Sequence, residues 1–216
     1  MSSATRTILV TGFEPFGGEA VNASWEAARK LEGWGSGEYA AVARLLPCAY
    51  EASVKELIRA IETLEPEAIL MTGQAARRGV VCVERFARNV DDAAAPDNLG
   101  QLRKATAISE GAPDRLQATA PVKAIAGAIR EAGIPARVSR NAGGFVCNHL
   151  YFGALQYLRA TGRATPAVFV HLPATPGQSR RAARARPLAS ALASALAAKA
   201  LRAAAAAMVD VRPKAA

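Results

Sequence analysis

A cysteine that follows two glycines is the residue of this chain best placed to do chemistry. It lies in the segment 141–149, Asn-Ala-Gly-Gly-Phe-Val-Cys-Asn-His, where we expect a helix to begin. Backbone N–H groups in the first turn of a helix lack partners within the helix and carry the positive end of its dipole. A thiol at that point is shifted toward thiolate, so Cys147 is a candidate nucleophile. The alternative, an inert cysteine of the core, stays open from the segment alone.

A cysteine nucleophile needs an acid–base partner and a third group that orients this partner. His171, which ends the apolar run 167–171, is the candidate partner, and the alternative is a structural histidine at a strand end. Glu84 lies within an extended segment, on a face shared with apolar neighbours, and is the candidate orienting residue. An ion pair with Arg85 is the alternative role for this carboxylate. His149 follows the cysteine on the helix, and we interpret it as structural.

The loop 12–18, Gly-Phe-Glu-Pro-Phe-Gly-Gly, lies between a predicted strand and a predicted helix, as phosphate-binding loops do. Its glycines lack the GxGxxG spacing, and Glu14 would repel a phosphate group. Phe13 and Phe16 instead indicate a flat, neutral ligand held between apolar faces. The alternative is that both rings belong to the hydrophobic core.

Strands and helices alternate along the chain. We expect strands at 6–12, 39–46, 68–73, 80–90, 136–140 and 166–172, and helices at 24–31, 52–64, 121–132, 145–161 and 187–209. This order predicts an α/β protein, a three-layer α/β/α sandwich around a largely parallel, mixed and twisted sheet. Such sheets bind ligands outside the carboxyl ends of their strands, which places the loop 12–18, the loop 73–78, the turn before Cys147 and His171 at one edge. The stretch 91–120 has no clear period, and we expect it to be functional or mobile.

The length of 216 residues predicts one domain, 1–216, with flexible ends at about 1–5 and 210–216. Three cysteines without a CxxC spacing and only two histidines argue against a disulfide scaffold and against a metal site. An apolar strand comes too early in the chain to leave room for a signal peptide, so we expect a cytoplasmic protein. The alanine-rich segment 187–209 is too weakly apolar to span a membrane, so no membrane partner is expected.

The net charge of +9 is concentrated near the carboxyl end of the chain. Residues 178–216 contain eight basic residues and one acidic residue, which accounts for +7 of that charge. The remainder is nearly neutral, and no aromatic residues are interleaved with its charges to stack on bases. A basic surface segment is therefore favoured over a nucleic-acid partner, and binding of nucleic acid through the cluster at 180–186 stays as an alternative.

Five short segments form a combination that is specific in this order, although each is weak alone. They are 10–18 with 22–26, then 73–75, 84–89, 142–148 and 169–173, with Pro96-Asp-Asn98 and Gly100 between them. In these residues the chain resembles the pyroglutamyl peptidase I family, also called pyrrolidone-carboxylate peptidases, which are cysteine peptidases. The resemblance implies removal of amino-terminal pyroglutamate from peptides through an acyl-thioester intermediate. It also implies a homotetramer without a cofactor.

The resemblance assigns a role to each matching residue. Cys147 is implied as the nucleophile, His171 as its acid–base partner and Glu84 as the residue that orients the histidine. The residues implied in substrate binding are Phe13 and Phe16 as walls for the pyroglutamyl ring, Gln74 and Val146 in the pocket, and Asn22 as a support for the loop.

The chain also departs from the family pattern. Ala94 stands where family members commonly carry an arginine, which predicts a slower enzyme or one that relies on Arg78 or Arg88 instead. Ala76 and Arg77 replace a glycine pair, and Ala23 replaces a proline. The alternative function is a protein that binds a pyroglutamyl or other lactam group with weakened or no catalysis. The complete set of three catalytic candidates argues against this alternative, because a binding protein has no use for a nucleophile.

Overall fold

The computed structural model of the protein describes residues 5–174 and 194–210. The strands are β1 (Arg6–Phe13), β2 (Gly35–Ser36), β3 (Tyr39–Leu46), β4 (Ala68–Gln74), β5 (Val81–Glu84), β6 (Phe86–Arg88), β7 (Arg115–Gln117), β8 (Ala136–Ser139) and β9 (Ala167–Leu172). The helices are α1 (Ala23–Ala28), α2 (Tyr50–Leu64), α3 (Val122–Glu131), α4 (Val146–Ala160) and α5 (Ser194–Val209), and a 3₁₀ turn (Arg29–Leu31) follows α1. The predicted cluster at 180–186, the first residues of the predicted helix 187–209 and most of both chain ends lie outside the described residues.

Seven strands form one sheet in the order β2-β3-β1-β4-β9-β5-β8. The strands β3, β1, β4 and β9 run parallel to one another, and β2 lies antiparallel at the edge. The strand β5 runs antiparallel to β9, and β8 follows the direction of β5. The predicted α/β fold with a largely parallel, mixed sheet is therefore confirmed.

Helices cover both faces of this sheet. On one face α5 packs against α1 and α3, and on the other face α2 packs against α4. Consecutive side chains of a strand point to opposite faces of the sheet, so Thr72 and Gly73 of β4 identify its two faces. Thr72 donates a hydrogen bond to the Thr11 carbonyl beneath α1, whereas the open face of Gly73 contacts Cys147 of α4. The candidate nucleophile thus lies on the α4 side of the central strands.

The extended segment predicted at 80–90 is split into two strands. Arg85 separates β5 from β6, because its N–H donates to the Ser139 carbonyl while its own carbonyl accepts from Ala118. The strand β6 then pairs with β7 in a separate two-stranded sheet. The short strands β2 and β7 were not predicted, because two or three residues show no alternation that a sequence pattern can reveal.

The stretch 91–120 is fixed to the rest of the fold by hydrogen bonds at several points. Asp91 and Thr106 form an isolated antiparallel bridge. The Asp97 carboxylate accepts from the N–H groups of Leu99 and Gln101 within its own turn, and also from Tyr50 at the start of α2. First-turn N–H groups of a helix lack acceptors within the helix, and the Asp97 carboxylate supplies one for the Tyr50 N–H. The helix α2 therefore starts at Tyr50 rather than at the predicted residue 52. No helix among the described residues is long and apolar enough to cross a membrane.

Candidate active site

Antiparallel pairing of two central strands brings Glu84 and His171 together. In the register of β5 with β9, Glu84 lies opposite Phe169 and Cys82 lies opposite His171. Residues on one face of such a pair contact their diagonal neighbours. The distance between Glu84 Oε1 and His171 Nδ1 is 2.9 Å, and both side chains are buried. When Nδ1–H donates to this carboxylate, the lone pair of the ring remains on Nε2, where a base needs it.

Cys147 reaches the same place from the start of α4. We expected the turn before it to follow a strand end on the ligand-binding edge, and this prediction is wrong because β8 runs opposite to β9. The segment 140–145 leads the chain back to the site instead. Gly73 pairs with His171 in the sheet, and a Cβ atom at Gly73 would lie 2.7 Å from Cys147 Sγ. Cys147 Sγ therefore lies against the strand residue that neighbours His171.

Two glycines are required in the turn that leads to Cys147. Gly143 has a φ of +92°, which side-chain-bearing residues rarely adopt. At Gly144 a Cβ atom would lie 2.6 Å from the Asp92 carbonyl oxygen, while the Gly144 carbonyl accepts from Asp92 N–H at 2.7 Å. Phe145 is the N-cap of α4, and its side chain accepts no hydrogen bond from the first-turn amides. Asn148 N–H already donates to the Phe145 carbonyl at 2.9 Å, so the N–H groups of Val146 and Cys147 are the ones that can donate to an oxyanion next to Cys147.

Burial determines the charge state of the resting site. Burial raises the pKa of the Cys147 thiol, with Cys48 and Glu84 acting in the same direction and Arg78 against it. Burial also lowers the pKa of His171, and the hydrogen bond that His171 donates to Glu84 acts in the opposite direction. The prediction that the helix start shifts Cys147 toward thiolate is therefore wrong for the resting protein, because desolvation outweighs the first-turn dipole. The resting pair is a neutral thiol and a neutral imidazole.

Aromatic rings pack around these groups. Phe13 is 2% exposed and its ring packs 6.5 Å from that of Phe169, which in turn lies 4.7 Å from the His171 ring. Phe13 is therefore a core residue, which is the alternative stated above for it. The Phe169 ring lies between Phe13 and the candidate base His171. Phe16 is only partly buried and packs on Phe145, the N-cap of α4, at 5.9 Å.

The other predicted binding residues hold the loop 12–18 and α1. Asn22 caps α1 by accepting from Ser24 N–H, and its Nδ2 donates to the Glu14 carbonyl at 2.9 Å. Gln74 Oε1 accepts from Ala23 N–H at 2.8 Å, which fixes the amide at the carboxyl end of β4. Val146 is fully buried next to Cys147. Asn22 thus joins α1 to the loop 12–18.

Three groups around the loop were not predicted from the sequence. Glu14 Oε1 accepts from Cys48 N–H at 2.9 Å and from Asn98 Nδ2 at 2.8 Å, and Asn98 Nδ2 also donates to the Pro15 carbonyl. The signal was present in the Pro96-Asp-Asn98 segment, because Asp and Asn side chains commonly bond to backbone in turns. This segment therefore shapes the loop that carries both phenylalanines.

Glu84 forms an ion pair, but not with Arg85. Arg78 Nη1 donates to Glu84 Oε1 at 2.6 Å, the same oxygen that contacts His171. Arg88, the other arginine considered in place of the one missing at Ala94, is an exposed residue of β6 whose backbone N–H donates to Asn148 Oδ1. Of these two arginines, Arg78 is the one joined to the candidate catalytic groups.

Within residues 5–174 and 194–210, no group of three or more His, Cys, Asp or Glu side chains could hold a metal ion.

A second buried carboxylate holds His149. Asp91 Oδ2 lies 2.8 Å from His149 Nδ1 and accepts from Arg103 Nη1 at 3.0 Å, and Arg103 also pairs with Glu51. The Asp91 side chain is fully buried. His149 therefore has the structural surroundings expected for it, one turn away from the start of α4.

Replacing this carboxylate should destabilise the fold. Asp91→Ala leaves Arg103 and His149 without their buried partner, so we expect the free energy of unfolding to fall by about 3 kcal/mol. Urea denaturation measures this loss. The matched control is Glu51→Gln, since the Glu51 side chain is 60% exposed and should contribute less than about 1 kcal/mol. Equal stability of the Asp91→Ala protein and the wild type would contradict the role of this cluster.

Comparison with known proteins agrees with this geometry. The family model described as pyroglutamyl peptidase matches residues 6–211. The chain belongs to this family. The pyrrolidone-carboxylate peptidase of Chromobacterium violaceum is 47% identical over 177 residues, which cover 82% of this chain and 81% of the relative. That of Brevibacillus brevis is 43% identical over 178 residues, covering 82% and 83% of the two chains.

Solved structures of the family share the fold. The crystal structure of pyroglutamyl peptidase I from Bacillus amyloliquefaciens superposes with a TM-score of 0.88 at 36% identity and covers 94% of each chain. A mutant pyrrolidone carboxyl peptidase from the hyperthermophile Pyrococcus furiosus gives a TM-score of 0.89 at 30% identity, covering 94% of this chain and 98% of that one. The predicted family resemblance is therefore confirmed.

Proposed function

We propose that this protein is a cysteine peptidase that removes amino-terminal pyroglutamate (5-oxoproline) from peptides. The observation that carries the proposal is the Glu84–His171 hydrogen bond of 2.9 Å beside the residue that contacts Cys147 Sγ. Membership of the pyroglutamyl peptidase family supports the substrate class. A pyroglutamyl- or lactam-binding protein without catalysis is not favoured, because all three groups of a nucleophilic site are present and the histidine is held by its carboxylate.

The reaction begins from the neutral pair. His171 Nε2 takes the proton of the Cys147 thiol as Sγ attacks the carbonyl carbon that joins pyroglutamate to the next residue. First-turn N–H groups of α4 stabilise the resulting oxyanion, and one such donor contributes about 3 kcal/mol. The protonated His171 then donates its proton to the leaving amine, which breaks the peptide bond and leaves a thioester on Cys147. His171 next accepts a proton from water as the water attacks the thioester, and pyroglutamate leaves as the thiol is restored.

The lactam ring supplies the specificity. Phe16, which is only partly buried, supplies apolar surface for the uncharged ring, and the buried Phe13 and Val146 belong to the core around the site. The Gln74 oxygen is occupied by Ala23 N–H, so its NH₂ group can donate to the ring carbonyl. A ring without these polar groups would leave buried partners unpaired.

Hydrolysis should therefore depend on the lactam. We expect kcat/KM for a fluorogenic pyroglutamyl amide to exceed that for the matching prolyl amide by roughly 10⁴, the discrimination typical of a hydrogen-bonding site. Fluorescence of the released amine, measured with both substrates at one enzyme concentration, gives this ratio. Absence of turnover of the pyroglutamyl amide, or equal rates with both amides, would overturn the proposed function.

The cellular location and assembly complete the proposal. We place the protein in the cytoplasm as a homotetramer. Three free cysteines, two of them buried, suit a reducing compartment. Exposed Leu45, Leu99 and Leu102 offer apolar surface for contacts between subunits. Light scattering after size exclusion should give about four times the chain mass of 22.5 kDa, and the mass of one chain at micromolar concentration would overturn the tetramer.

A further inference from the structure

The guanidinium of Arg78 joins three separate elements of the fold. Its Nη1 donates to Glu84 Oε1 at 2.6 Å and lies 3.1 Å from Ser139 Oγ, and its Nη2 donates to the Asn141 carbonyl at 2.6 Å. These partners lie at the end of β5, at the end of β8 and in the segment 140–145. The Arg78 side chain is 19% exposed, whereas the carboxylate that it contacts is fully buried. The bond to Glu84 is charge-assisted and partly buried, whereas the bond to the Asn141 carbonyl is exposed.

Each of these contacts leads to a candidate catalytic group. Asn141 begins the turn that leads to Cys147, and its Oδ1 accepts from Gly143 N–H at 2.9 Å. The loop of Arg78 is itself tied to the strand of His171, because Ala75 N–H donates to the Leu172 carbonyl at 2.8 Å. Arg78 N–H in turn donates to the Ala75 carbonyl. One side chain thus connects the supports of the nucleophile, the base and the orienting carboxylate.

The Glu84 carboxylate is held from one side only. Oε1 accepts from both Arg78 and His171, while within the described part of the chain Oε2 has no hydrogen-bond partner. Without Arg78 the carboxylate could rotate and present either oxygen to His171. The charge of Arg78 also lowers the pKa of His171 and that of the Cys147 thiol. Cys82, opposite His171 in the sheet, is the other titratable side chain placed at this histidine by the strand pairing.

We propose that Arg78 is a positioning residue for this reaction, which fixes the Glu84 carboxylate against His171 and the Asn141–Gly144 turn against the site. The inference rests on the proposed function. Arg78 acts through its neighbours and contacts no reacting atom. A lysine at this position keeps the charge but lacks the planar fork that reaches Glu84 and the Asn141 carbonyl together.

The test compares Arg78→Met and Arg78→Lys with the control Arg77→Met, which removes the same charge from an exposed side chain of the same loop. We expect Arg78→Met to lower kcat by about 10²-fold with unchanged KM, because small misplacements of reacting groups cost that much. In Arg78→Met the acid limb of the kcat/KM profile should move to higher pH, because the positive charge of Arg78, which lowers the pKa of His171, is gone. Arg78→Lys should keep the wild-type acid limb but not the wild-type kcat, and Arg77→Met should match the wild type in both.

Two outcomes would overturn the inference. One is a wild-type kcat in Arg78→Met, and the other is a loss of kcat with an unmoved acid limb, as a merely structural residue would give. Carbamidomethylation of Cys147 by iodoacetamide, followed by mass spectrometry across pH, tests Arg78 without any turnover. We expect this profile to move to higher pH in Arg78→Met but not in Arg78→Lys. If the wild type does not cleave the amide while these profiles still differ, the proposed function fails and the positioning role stands.

Discussion

Cys147→Ser should lower kcat for a pyroglutamyl amide by about 10⁴-fold or more, the loss expected when a nucleophile of a catalytic triad is replaced. The serine hydroxyl occupies the place of the thiol beside Gly73, but an alcohol is a much weaker nucleophile than a thiol served by the same base. Binding of the lactam should persist, because no wall of the pocket changes. Steady-state kinetics measures the loss, and isothermal titration with pyroglutamate measures the binding.

The matched control for this variant is Cys82→Ala. Cys82 is buried opposite His171 in the sheet, and its Sγ lies 3.5 Å from the Val80 carbonyl. Removing this thiol should change kcat by only a few-fold, because the sulfur has no part in the proposed reaction. Wild-type turnover by Cys147→Ser, or a loss in Cys82→Ala as large as that in Cys147→Ser, would contradict the assignment of the nucleophile.

Glu84→Gln is the second variant with a large expected effect. The carboxylate accepts from His171 Nδ1–H and keeps the basic lone pair on Nε2, whereas the amide NH₂ of glutamine can hold the ring in the opposite tautomer. We expect kcat to fall by about 10⁴-fold, as in other triads whose orienting carboxylate becomes an amide. Glu38→Gln is the control, since that carboxylate is half exposed and forms an ion pair with Arg6 at the start of β1.

The same variant predicts the direction of a pH shift. Burial lowers the pKa of His171 below its ordinary value of 6.5, and Glu84 opposes this effect. The base must be neutral, so activity of the wild type is lost as the pH falls through this lowered pKa. Removing the negative charge of Glu84 lowers the pKa of His171 further, and the acid limb of kcat/KM should move to lower pH. This shift is opposite in sign to that expected for Arg78→Met. A move to higher pH in Glu84→Gln would contradict the proposed role of the carboxylate.

Local patterns in the sequence were sufficient to predict most elements and to propose all three candidate groups, Cys147, His171 and Glu84. Cys147 follows a glycine turn at a helix start, and His171 ends an apolar strand, so their types and positions are visible within a few residues. Gly73 and Gly144 mark places where the backbone lies close to Cys147 Sγ and to the Asp92 backbone, respectively. These features are local, although the turn before Cys147 does not follow a strand end at the predicted edge.

Pairing between distant segments could not be predicted in the same way. The approach of Glu84 to His171 depends on the antiparallel register of β5 with β9, and no local pattern encodes the direction of such a pair. Arg78 contacts Asn141 across 63 positions, and Asp91 contacts His149 across 58. The neutral resting state of Cys147 was also missed, because desolvation depends on every element that covers the thiol.

The acyl-enzyme is the most direct test of the proposed mechanism. The protein is mixed with a pyroglutamyl amide, quenched in acid during turnover, and its mass is measured intact and after digestion. We predict a mass increase of one pyroglutamyl group on the peptide that carries Cys147, which disappears after the substrate is exhausted. Release of pyroglutamate with no adduct on Cys147 under these conditions, or an adduct on Cys48 or Cys82 instead, would contradict a thioester at this cysteine.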